Sequence, residues 1–459
     1  MKHLVNIISV AILSLAICAC SFTDIAPTDS VGDAAVFKDV ASLKKAVVGC
    51  YSKLNLVTYL HQSEWGSDNC LMGGQSGGNG ATTFVFGWTS TSGDYSSIWT
   101  NTYSLTNEIN RILIASEALL AAGNDLNELK TAISEVYFLR AYAYYELLRF
   151  FSDMTNESAY GIPYVTAPIT LEQPGRDNVK ACYDNIVADC EEALKYLPDL
   201  SSNRGTASKA AVYGLLARMY FYRNDFTNAL SYADRALALV PVAKKAAWPN
   251  IWTDKTTDDV IWKLIKYSGE TTLGTMFFTA DKAAITESSD AIAELFYNDP
   301  NDIRGSVTVT KAPDRDNKTV NRVIKFQGAN PTANCGLCDM KMLRASEMML
   351  IKIEATAQTN VAAAASLLND FKRERYASYS DRTYGSKAEI IEDLINERRR
   401  EFTFEGMRWF DARHYGFGYD CPSSPGVKLT PGEYKWIMPI PDAEMQANFV
   451  IAEQQNPGY

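Results

Sequence analysis

The chain has 459 residues, is 47% hydrophobic and carries a formal net charge of −10, enough for a large buried core and, by length alone, about three domains. The acid excess argues against nucleic-acid phosphate as the main partner. Three histidines and nine scattered cysteines leave little for a metal site or a disulfide framework.

The N-terminus reads as a secretory leader. Lys2 supplies a basic start, and residues 4–20 form an apolar run too short and too abruptly ended for a comfortable bilayer span. The run closes Ile17-Cys18-Ala19-Cys20, which looks like a bacterial lipobox with a small residue before the acceptor cysteine. Cys18 fits worse, because bulky Ile17 would then occupy the cleavage position. The expectation is a signal peptide over residues 1–19 and lipidation at Cys20; the alternative is an ordinary signal peptide with a chance cysteine pair. More than one acyl chain, at about 0.8 kcal/mol per buried methylene, makes a stable anchor. Cleavage removes Lys2 and takes the net charge to −11. No later stretch is long and apolar enough to span a bilayer, so the expected body is soluble.

Residues 61–100 are rich in Gly, Ser, Thr and Asn, yet carry Trp65, Trp88, Tyr95 and Trp99. Long irregular segments inside a compact domain are functional or disordered, and tryptophans argue against simple disorder. Trp99 stands where helical periodicity resumes and is assigned to the core. Trp65 and Trp88 are either a surface platform or anchors of the loop. As a platform they would have Asp68, Asn69 and Gln75 as hydrogen-bonding neighbours. Gly74-Gln75-Ser76-Gly77-Gly78 satisfies the G-x-S-x-G pattern, but a nucleophile elbow needs a strand before it and a helix after it. Here residues 82–86 read as a strand if anything, so no catalytic residue is assigned.

The remaining pattern is helical. A long amphipathic segment, residues 126–151, pairs with residues 181–197, joined by an extended connection through Gly161-Ile162-Pro163. Residues 210–243 follow the spacing of a tetratricopeptide repeat. Tyr213, Leu216, Ala217 and Tyr220 share one helical face, Arg223-Asn224-Asp225 turns the chain, and Ala229 and Ala236 line the second helix before Pro241. Ala233 departs from the repeat, which usually has a larger side chain there. Residues 344–357 with 361–375, and 388–402 with 406–414, give two more hairpins. The expected fold is all-α, a tetratricopeptide-like scaffold of roughly four helical hairpins with loop-rich insertions. Its expected regions are 20–241, a variable irregular 242–341, and 342–459.

Three further features invite sharper readings. Residues 397–413 are dense in Arg and Glu, and Glu397/Arg400 and Glu405/Arg408 are each three apart. Such pairs are expected to stitch helices together and solvate a face. Cys335-Gly336-Leu337-Cys338 lacks the second ligand pair that zinc requires, so it reads as loop cysteines or a local disulfide. No metal and no cofactor is expected. The terminal Asn456-Pro457-Gly458-Tyr459 suits a type II turn in a packed tail.

In order and spacing the chain resembles the SusD/RagB family, the starch-utilization-system type of outer-membrane nutrient-binding lipoproteins of Bacteroidota. The fragments that carry the resemblance begin after Cys20 with Asp24-Ile25-Ala26-Pro27-Thr28 and Val47-Val48-Gly49-Cys50-Tyr51. They continue through Trp99-Thr100-Asn101-Thr102-Tyr103, Asn107, Asn110 and Arg111, then Leu139-Arg140-Ala141 and Leu216-Ala217-Arg218-Met219-Tyr220. They end with Glu397-Arg398-Arg399-Arg400-Glu401-Phe402, Arg408-Trp409-Phe410-Asp411 and Pro439-Ile440-Pro441.

The resemblance implies a helical, tetratricopeptide-containing binder, not an enzyme, with a variable region that shapes ligand binding. It implies a lid on a SusC-like TonB-dependent transporter, facing outward from the outer membrane, with a glycan first and a peptide second as ligand. One departure is Ser21-Phe22-Thr23-Asp24, with a single acid where a cluster often accompanies surface display. An aromatic face suits the apolar side of a sugar ring, and Asn, Asp and Gln match its hydroxyls. The expected ligand contacts are therefore Trp65, Asp68, Asn69, Gln75 and Trp88, with Trp262 and Tyr267 as weaker additions. Residues 260–265 read as a largely buried strand, which would pack Trp262 inside.

Overall fold

A computed structural model describes residues 36–54, 56–124, 126–332 and 335–459. The expected leader, residues 1–19, and Cys20 lie outside them. Helix α1 (Val40–Lys53) starts where the Asp39 carboxylate accepts from the backbone N–H of Ser42, and it buries Leu43, Val47 and Cys50. Helix α2 (Leu56–Ser63) follows. Helix α3 (Ser96–Ala121) has 26 residues and packs antiparallel to α4 (Leu126–Phe151), adding a hairpin that the sequence pattern showed only at its start. Its stripe is obscured because Thr102, Thr106, Asn110 and Ser116 lie on its buried face. Asn110 uses its amide to donate to the carbonyls of Val165 (2.9 Å) and Ala167 (3.2 Å) in the extended connection.

The stack then runs through α5 (Val179–Leu194), α6 (Lys209–Tyr222) and α7 (Phe226–Leu239). It continues with α8 (Ala345–Ala357), α9 (Val361–Arg373) and α10 (Lys387–Glu401). Neighbouring members pack in that order, with α7 against α8 across the intervening region. In the tetratricopeptide pair, Ala229, Ala233 and Ala236 are fully buried, so the small residues let α7 approach α6 closely. Tyr213 and Tyr220 lie against Tyr232, Tyr220 in a parallel stack at 5.7 Å. Asn224 takes φ 62 in the turn, a left-handed conformation that Asn tolerates.

The fourth expected hairpin is different. Helix α11 (Arg408–Tyr415) packs on α2, and it is tied to α10 by the Arg398 guanidinium on the Asp411 carboxylate (2.7 Å). Among the described residues four short antiparallel strand pairs supplement the helices. The expected buried strand is β2 (Val260–Leu264), paired with β4 (Met340–Arg344). In the first irregular region β1 (Cys70–Met72) pairs with β3 (Thr286–Ser288) in the second, so the two regions support each other. Residues 82–86, expected extended, overlap the helical turn Ala81–Phe84. Among the described residues no helix is long and apolar enough to cross a membrane.

The acidic and basic run of α10 stitches elements together, as expected, but it does not solvate a face. Glu397, Arg398 and Glu401 are each at most 1% exposed. Glu401 accepts from Arg375 (2.8 Å), Arg344 (2.9 Å), Arg304 (3.2 Å) and the Trp248 indole (3.1 Å). Glu405 pairs with Arg344 and Lys325, and Arg400 with Asp302, so the partners come from other elements and not from three residues along the helix. Burial works to raise the Glu401 carboxyl, but Arg375, Arg344 and Arg304 overcome it and hold the group well below the usual carboxylate range.

The C-terminal tail is packed. Asn456 donates to the carbonyls of Phe151 (2.8 Å) and Met438 (2.7 Å), and Gly458 adopts φ 95 against the Tyr434 ring. The buried guanidinium of Arg176 donates to the carbonyls of Phe151, Tyr160, Gly161 and Gln454 and to the Asn456 amide oxygen, clamping tail to connection.

Candidate functional site

The expected tryptophan platform is corrected by the packing. Trp65 is 3% exposed, stacks between His61 (4.0 Å) and Phe84 (5.0 Å), and donates to the Thr286 hydroxyl (2.9 Å). Gly80, at φ 71, closes over it, and a Cβ there would meet the Trp65 ring at 2.3 Å. Trp88 is 1% exposed, packs on Trp409 (5.3 Å) and donates to the Tyr459 hydroxyl (3.1 Å). Trp262 is fully buried, with Phe138 and Tyr142 edge-on at 4.9 Å each. These rings anchor loops and core and present no open face. A large apolar ring gains more from full burial than from half of it.

The polar neighbours are structural as well. Asp68 is held by Arg399 (2.9 Å) and Arg408 (2.8 Å), fixing the loop to α10 and α11. Gln75 accepts from the backbone N–H of Ala284 (3.1 Å), continuing the junction that β1 and β3 begin. Asn69 is buried and donates to the Glu64 carboxylate (3.2 Å), which also accepts from the backbone N–H of Gly406.

Burial pushes the Glu64 carboxyl up to about 7, against the opposing pull of the Gly406 and Asn69 hydrogen bonds and of Lys325. The ordinary value is 4.5, so between the two the folded state holds a proton that the unfolded state has released. Stability from this group is therefore full below pH 4.5 and falls as pH rises towards 7, by on the order of 2–3 kcal/mol. Denaturant melts of wild type and Glu64→Gln at pH 5 and pH 7.5 check this. The wild type is expected to lose stability relative to the variant on going to the higher pH.

Tyr267 alone among the seven expected contacts is open, at 65% exposed. It stands on a turn in which the backbone N–H of Tyr267 donates to the Glu270 carboxylate (3.0 Å) and that of Glu270 donates back to the Tyr267 carbonyl (3.2 Å). The same turn supplies Lys266, Gly269, Glu270 and Thr271 as one wall of a cleft of about 490 Å³. The facing wall comes from the end of α1, through Ser52, Lys53 and Leu54, and from Asn101 and Ser104 on α3. Two other grooves of comparable size are lined more by apolar side chains, such as Val47 and Val48 in one, and Ile169, Leu171 and Pro174 in the other. The cleft combines hydroxyls and an amide, and the turn that forms one wall also carries the exposed Tyr267 ring, outside the lining itself. That is the chemistry a sugar chain requires.

Ser52, Asn101, Ser104 and Thr271 are absent from the sequence-based site. The cleft forms only when three segments far apart in the chain meet, and each carries a residue type that is ordinary for a helix or loop. Cys335 and Cys338 are free thiols donating to the Phe278 and Phe326 carbonyls, with burial pushing the Cys338 thiol up to about 12. Among the described residues no cluster of three His, Cys, Asp or Glu is placed to hold a metal.

A stack of helical hairpins that carries a preformed polar cleft at its surface is a helical-repeat binding scaffold. A family model described as "Starch-binding associating with outer membrane" (SusD-like_3) matches residues 61–221, and the "SusD family" model (SusD_RagB) matches residues 293–416. The chain belongs to the SusD family. A curated relative, SusD-like protein P2 of Formosa agariphila, is 24% identical over an alignment of 522 residues covering 98% of this chain and 99% of the relative. A SusD superfamily protein from Bacteroides vulgatus superposes with a TM-score of 0.80 at 23% identity, over 92% of this chain and 99% of that one. Surface glycan-binding protein A from Bacteroides fluxus superposes with a TM-score of 0.73 at 19% identity, over 91% and 99%. These likenesses fix the fold.

Proposed function

We propose that this protein captures a glycan in the cleft beside Tyr267 and delivers it to a SusC-like TonB-dependent transporter of the outer membrane. It does so as an outward-facing lipoprotein anchored through Cys20, binding its polymer without cleaving it. The observation that carries the ligand reading is a polar cleft walled by Ser52, Asn101, Ser104 and Thr271, one wall of which is the turn that bears the open Tyr267 ring. The starch-binding description of the matching family model and the glycan-binding name of the Bacteroides fluxus structure support the same class. The partner and the anchor rest on the family resemblance and on the lipobox-like run ending at Cys20. Calorimetric titration of the mature chain against polysaccharides and peptides tests the ligand class. Saturable glycan binding is expected, and binding of peptides in its place would overturn the reading. For the anchor, Cys20→Ala is expected to move the protein from the membrane to the soluble fraction when the transporter is absent. Unchanged fractionation would remove lipidation from the account.

A further inference from the structure

We infer that the cleft is built for an uncharged polysaccharide and turns away sulfated and uronate-bearing chains, an inference that rests on the glycan reading above. Two cations line the cleft, Lys53 and Lys266, and each is closed by a carboxylate of this chain. Lys53 pairs with Glu108, and Lys266 pairs with Glu270 at 3.2 Å. Glu270 is fixed in place by the Tyr267 backbone N–H, and that hydrogen bond together with Lys266 keeps it ionised below the usual carboxylate range. On the preceding strand β2, Lys263 is paired in turn with Asp339 at 2.5 Å.

The wall is therefore polar but balanced in charge. A sulfate or carboxylate entering it would have to take a lysine from its partner and leave that partner's negative charge facing the ligand. Among the described residues no arginine lines the cleft, so they do not supply the planar two-point donor that best holds sulfate and carboxylate. The chain's net charge of −10 adds a repulsive field for polyanions. Ser52, Asn101, Ser104 and Thr271 offer donors and acceptors that match sugar hydroxyls.

The test screens the mature chain against starch, laminarin, xyloglucan and galactomannan, and against alginate, polygalacturonate and dextran sulfate. Each is measured at about 0.02 M and about 0.5 M NaCl, where screening differs several-fold in range. Binders are expected among the neutral group, with affinity changing by no more than about twofold between the two salts. Binding of an anionic polysaccharide that weakens about tenfold or more with salt would overturn the inference. If that binding is also lost in Tyr267→Ala, the cleft stands and only the charge selectivity falls. Failure of every polysaccharide to bind would overturn the glycan reading and the inference together. Glu108→Gln, which leaves Lys53 without its counter-charge, is expected to raise affinity for dextran sulfate by about fivefold. No gain would show that the pairing does not set the selectivity.

Discussion

Glu401→Ala is expected to be the most damaging single truncation, costing on the order of 3–5 kcal/mol of stability. The carboxylate is fully buried and accepts from Arg304, Arg344, Arg375 and Trp248, so its removal leaves three guanidiniums in the interior without their shared counter-charge. These groups come from four separate stretches of the chain, and the loss is therefore felt across the join between residues 242–341 and the C-terminal helices. Glu401→Gln keeps the shape and one acceptor oxygen but not the charge, and it is expected to be destabilising as well. Removing a surface pair by Lys180→Ala, which frees Asp184 in open solvent, is expected to leave the melt unchanged. Urea denaturation of the three variants measures the contrast. A Glu401→Ala midpoint equal to wild type would mean that the network is not a structural centre.

Trp65→Ala is the second large effect, a loss of about 3–5 kcal/mol from the cavity left by a buried indole. Trp65 sits between His61 and Phe84, with the Gly80 backbone against its ring and its N–H on Thr286, so nothing nearby is free to collapse into the space. The change removes the indole hydrogen bond to Thr286, one of the contacts between the first irregular region and β3. Under conditions where the variant remains folded, glycan affinity is expected to be unchanged. A normal melt with lost binding would reverse the assignment and restore Trp65 to a ligand-facing role.

The helical hairpins were legible because several signals agreed on them. Periodicity of 3.6 and small residues at the closest crossing pointed the same way, and the structure adds a capping side chain ahead of four of the helices (Asn178, Ser208, Asn360, Ser386). Helix α3 was concealed by the polar residues on its buried face, among them Asn110, which satisfies carbonyls of an extended connection that composition cannot place. The run around Glu397 and Glu401 was misjudged for a related reason. Spacing along one helix pairs each charge with its neighbour, whereas the fold brings Arg304, Arg344 and Arg375 to it from a distance. Aromatic abundance in residues 61–100 marked an ordered region correctly, yet a tryptophan count does not separate platform from anchor. Of the residues proposed from sequence, Tyr267 alone lies open beside a cleft, and its companions Asn101 and Ser104 belong to the concealed helix.

The most direct measurement is calorimetric titration of the tightest-binding glycan against wild type and Tyr267→Ala, with a thermal melt of each protein. Loss of an exposed stacking ring is expected to weaken binding by about 1–3 kcal/mol. The melting temperature is expected to be unchanged, because a side chain 65% exposed supports no core. Wild-type affinity in Tyr267→Ala would contradict the account and move the site away from this cleft.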